Sequence, residues 1–103
     1  MKNILNLLKT NLLKEGVGLE NLKFKTYPNQ ILSVKANGLV VTIAQSKNIF
    51  CVAVADEEGE YGSIADAFGT VENAIEYAVA EIREMLNFPS SMKEMLFDCN
   101  YLG

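Results

Sequence analysis

Asn37-Gly38 stands between two runs, ILSVKA and LVVTIAQ, in which apolar and polar residues alternate. A two-residue type I′ hairpin loop needs positive φ at both central positions, and Asn followed by Gly tolerates this best. The two runs are therefore predicted to be adjacent antiparallel strands. Leu32 and Val34 fall on one face of the second strand, Ser33 and Lys35 on the other. Weaker signals extend the pattern in both directions. LENLKFKTY alternates Leu22, Phe24 and Thr26 against Lys23, Lys25 and Tyr27, and Pro28-Asn29-Gln30 turns the chain. Ser46-Lys47-Asn48 turns it again into IFCVAVA, which is apolar on both faces and so is predicted to lie inside the sheet, with helices over one side. A fifth edge strand over 60–66, with DEEGE as its hairpin loop, would complete an antiparallel meander of four to five strands.

The flanking segments have helical period. Ile4, Leu5, Leu8, Leu12 and Leu13 form one stripe over residues 2–15, and Gly16 supplies a stop. Val71, Ala74, Ile75, Ala78, Val79, Ile82, Met85 and Leu86 recur at i, i+3, i+4 and i+7, with Thr70 as N-cap and Phe88-Pro89 beyond the end. Ser91-Met92-Lys93-Glu94 has the capping-box pattern that opens a short C-terminal helix through about Phe97. A sheet with one apolar face and helices with apolar stripes predict a two-layer α+β sandwich. At 103 residues the chain is one domain, 1–103.

The N-terminal run MKNILNLLKTNLLKEG is interrupted by Asn3, Asn6, Lys9, Thr10 and Asn11, so it reads as an amphipathic helix rather than a leader peptide. No apolar run approaches the roughly 20 residues of a membrane span, and a cytoplasmic protein without a membrane partner is expected. Lysine outnumbers arginine eight to one and asparagine occurs ten times, the usage of an AT-rich coding sequence, as in many bacteria and phages. Of the two cysteines, Cys51 lies in an apolar run and is expected to be a buried core thiol.

Charge is uneven. The net charge is −4, yet residues 1–50 carry +5 and residues 51–103 carry −9. Asp56, Glu57, Glu58 and Glu60 crowd around Gly59, and Asp66, Glu72 and Glu76 follow. This run fails as a calcium loop. Counted from Asp56, the position that needs glycine is Tyr61 and the one that needs glutamate is Ala67. No metal and no cofactor are expected. The chain has no histidine, which excludes histidine acid–base chemistry, histidine-activated nucleophiles and imidazole-bound zinc. GVG at 16–18 lacks the third glycine of a dinucleotide loop, because position 21 is Asn. A non-enzymatic protein is expected.

The order helix, strands, helix resembles that of double-stranded RNA-binding domains, and only in that order. Those domains set lysines at the start of the last helix to meet phosphates. Here the corresponding region carries Asp66, Glu72 and Glu76, which argues against nucleic acid docking there. In size and acidity the chain is similar to small inhibitors of nucleic-acid-binding proteins, such as anti-CRISPR and immunity proteins, with no shared motif. The first functional expectation is thus a small acidic interaction protein, a phage or bacterial accessory. Asp56, Glu57, Glu58, Glu60, Asp66, Glu72 and Glu76 would meet a protein partner with a basic surface. The alternative is a module for a small ligand or nucleic acid, using Lys23, Lys25, Lys35 and Tyr27 on the outer sheet face. If Ile31, Val40 and Phe50 share that face with Tyr27, it is apolar enough to hold a homodimer.

Overall fold

A computed structural model describes residues 2–56 and 66–87. Helix α1 spans Lys2–Lys14, a 3-10 turn covers Leu19–Asn21, and five strands follow: β1 Lys23–Tyr27, β2 Ile31–Ala36, β3 Leu39–Ser46, β4 Ile49–Asp56 and β5 Asp66–Phe68. Helix α2 spans Val71–Leu86. The strands form one antiparallel sheet in chain order, β1-β2-β3-β4-β5, with both helices on one face. This is the expected two-layer α+β arrangement. The C-terminal helix expected from Ser91 lies outside the described residues, as do Glu57, Glu58 and Glu60.

Local chemistry explains the boundaries. Gly16 takes φ 77°, Val17 N–H bonds to Leu12 O at 2.9 Å and Gly16 N–H to Leu13 O at 3.0 Å. These two bonds are the Schellman pattern that ends a helix on a left-handed residue. Asn37 and Gly38 have φ 53° and 76°, as a type I′ loop demands. At the start of α2, Thr70 Oγ1 accepts from Asn73 N–H at 3.2 Å.

Register decides which side chains face the helices. Phe24 pairs with Val34, Val34 with Val41 and Val41 with Val54, while Leu32 pairs with Ile43 and Ile43 with Val52. These residues meet Ile4, Leu8 and Leu12 of α1 and Ala74, Ile75, Ala78, Ile82 and Met85 of α2 in one core.

Five expectations are corrected by this geometry. Phe50 lies on the helix side, because it shares a face with Val52 and Val54 and packs against the core. IFCVAVA is apolar throughout, so alternation could not decide its facing. For the same reason Cys51 was misplaced: it lies on the outer face between Ala44 and Ala67 and is only half-buried. Leu13 is 59% exposed, since it sits about 140° around the helix from Leu8. The first strand starts at Lys23, after a 3-10 turn that takes up the leading residues of LENLKFKTY. The fifth strand begins at Asp66, where the expected 60–66 segment ends, and residues 60–65 lie outside the described residues.

The β2–β3 loop also ties the layers together. The Asn37 side-chain amide donates to Met85 O at 2.9 Å and to Leu86 O at 3.3 Å. It thereby satisfies two carbonyls at the end of α2 that have no partner within the helix.

Candidate functional site

The two candidate residue sets fare differently. Lys23, Lys25 and Tyr27 alternate along β1 and project from the outer face, and Lys35 projects beside them from β2. Lys23 lies directly across from Lys35, and Lys25 directly across from Ser33. Like charges at facing positions repel. Lys25 reaches along its own strand, so that its Nζ stands 4.9 Å from the centre of the Tyr27 ring. Tyr27 is 39% exposed.

Next to this basic corner the face mixes small and β-branched residues. Ser33, Thr42 and Ala53 form one cross-strand row, Ile31, Ala44, Cys51 and Ala67 another, and Val40 and Ala55 continue the row of Lys35. Both described helices pack on the opposite side. Ser33 is 5% exposed, and its Oγ has no hydrogen-bond partner. Burying a hydroxyl in that state costs roughly 1–3 kcal/mol.

The described members of the acidic set, Asp56, Asp66, Glu72 and Glu76, are divided among separate places. Asp56 is 4% exposed at the end of β4, on the helix-facing side opposite Leu39, so it is not part of an outward acidic loop. Its position follows from the same alternation that turns Val52 and Val54 inward. Asp66 lies on β5 beside α2. Its carboxylate accepts a hydrogen bond from the Tyr77 hydroxyl, and this bond is the main reason the Tyr77 pKa is pushed up to about 12. Burial and the nearby Glu81 add to that shift. Partial burial, then the charge of Glu84, raise the Glu81 pKa in turn. The Phe68 ring closes this corner, 5.2 Å from Tyr77. Glu72 and Glu76 are exposed on the other flank of α2, along the groove between the two helices.

The groove was not visible as a feature in the sequence. It has a volume of about 640 Å³, and α1 and α2 run the same way along it. Arg83 Nη1 stands 3.3 Å from Glu15 Oε2 where their C-terminal ends meet. Its residues were legible only as the polar flanks of two stripes, and nothing in either segment says that the flanks meet.

Among the described residues no cluster of three or more acidic or thiol side chains could hold a metal ion, and no helix is long and apolar enough to cross a membrane. The chain matches no protein-family profile, no curated protein and no solved structure.

Proposed function

We propose that this chain is a small non-enzymatic binding module that presents the outer face of its sheet to a single-stranded nucleic acid. The observation that carries the reading is the gathering of Lys23, Lys25, Lys35 and Tyr27 on one corner of that face. Lys23 and Lys35 repel one another, and a phosphate between them removes that repulsion. Tyr27 adds an aromatic surface for a base, an interaction worth about 1–3 kcal/mol in single-strand binding proteins. The absence of histidine from the sequence supports a role in binding rather than catalysis.

The test is fluorescence anisotropy with labelled oligodeoxythymidine and its RNA counterpart at low and moderate salt. Three phosphate contacts give a slope of log K against log salt of about −2 for a single strand. Lys23→Glu with Lys25→Glu should abolish binding and leave the circular dichroism spectrum unchanged. Unaltered binding by that double variant, or no binding by the wild type at 50 mM salt, would sink the proposal.

Capture of a basic protein by an acidic surface is the weaker reading. It needs the carboxylates to act together, and Asp56, Asp66 and the Glu72–Glu76 pair occupy three separate environments.

A further inference from the structure

The groove between α1 and α2 has polarity along its length. Glu72 and Glu76 flank it towards the start of α2, while Lys14 and the Glu15–Arg83 ion pair flank it at the C-terminal ends of both helices, which leaves that end net positive. Leu7, 37% exposed, stands on α1 level with Glu76, and Ala80 lies between the two ends. This order follows the helices themselves. Both run the same way, so their dipoles add; on α2 Glu72 sits in the first turn and Arg83 in the last, and on α1 Lys14 sits in the last turn. Glu76 and Arg83 are seven residues apart on α2, about 10 Å along the axis.

We propose that this groove is the docking surface for a second copy of the chain, related by a two-fold axis passing near Ala80. Such an axis sets the two helix pairs antiparallel. Glu76 of each copy then meets Lys14 of the other, beside the Glu15–Arg83 pair, and Leu7 of each copy is covered by the other's C-terminal helix ends. A two-fold interface must be self-complementary, and a groove with two carboxylates at one end and a net positive charge at the other meets that condition. The same arrangement opposes the summed helix dipoles of the two copies. The paired helices offer a face of roughly 20 by 20 Å. That is at the small end for specific interfaces, so the dimer is weak, reversible and salt-sensitive. The surface is separate from the outer sheet face, and its occupation leaves Lys23, Lys25, Lys35 and Tyr27 open.

Sedimentation equilibrium on the full chain, from about 10 µM to 1 mM at low salt, tests this, with the same variants checked by circular dichroism. Wild type should shift from monomer towards dimer, and added salt should reverse the shift. Lys14→Glu and Glu76→Lys should each weaken self-association by about tenfold or more, because each puts two like-charge pairs in the interface. Mixing the two variants should restore a dimer, since the Lys14→Glu copy and the Glu76→Lys copy are complementary at both contacts. A wild type that stays monomeric at 1 mM overturns the proposal. So does a dimer that both single variants retain, which would place the contact on another surface, or a mixture that fails to reassociate. Oligonucleotide binding is measured separately, so a failure here is distinguishable from a failure of the sheet-face reading.

Discussion

At the scale of the residue, Asn37 does two jobs with one side chain. Its backbone takes the left-handed conformation of the hairpin, and its amide caps the end of α2. The pair Asn-Gly announced the first job. The second depends on a helix 48 residues away in sequence, and no local pattern could have shown it. Two substitutions separate the roles. Asn37→Gly keeps the turn and should cost about 1–2 kcal/mol for the lost hydrogen bonds. Asn37→Asp should cost more at neutral pH, because it brings a carboxylate to two carbonyls at the negative end of a helix. Acidification should recover part of that loss, and urea denaturation at pH 7 and pH 4 would measure it. Tyr77 gives a second residue-scale prediction. Its folded pKa of about 12 lies above the ordinary value of 10. Its contribution to stability is therefore complete below pH 10 and is lost as pH rises from there through about 12. Tyr77→Phe should flatten the fall in denaturation midpoint over that window, and an unchanged fall would show that other groups cause it. Ser33→Ala removes a buried hydroxyl without a partner and should leave stability equal or slightly higher in the same assay.

At the scale of the element, sequence reading worked wherever a period and a stop coincided. The 3.6-residue stripe of α2, the Thr70 cap and the Gly16 stop all have their structural counterparts. It failed in β4, where every position from Ile49 to Ala55 is apolar and the facing of Phe50 and Cys51 is set by pairing with β3. It failed again with the carboxylates. Asp56 looks like the first residue of an acidic loop, yet it is the last inward-facing residue of β4. A strand's alternation carries on to its final residue, whatever that residue is. Conversely, the lysine face was legible because polar and apolar positions alternate cleanly in β1 and β2. The α2 cap can be tested directly: Thr70→Ala should cost about 1 kcal/mol. Ile82→Ala, at a fully buried site between the layers, should cost about 2–5 kcal/mol. Thermal or chemical denaturation would distinguish the two by size alone.

At the scale of the molecule, the charge asymmetry of the sequence becomes a spatial one. Strand order follows chain order, so the basic first half supplies α1, β1 and β2 and the acidic second half supplies β5 and α2. Lys23, Lys25 and Lys35 stand at the β1 side of the sheet, and Asp66 at the β5 side. The net charge of −4 thus conceals a molecule with a positive corner, and its behaviour towards a polyanion depends on which side approaches. The uninterrupted meander also bears on time rather than on energy. Each strand pairs only with its neighbours in sequence, so the sheet can grow one hairpin at a time with little loop entropy to overcome at each step. The seating of α1 against α2 is the exception, since Glu15 and Arg83 are 68 residues apart. Closing that separation costs more loop entropy than closing any hairpin of the sheet.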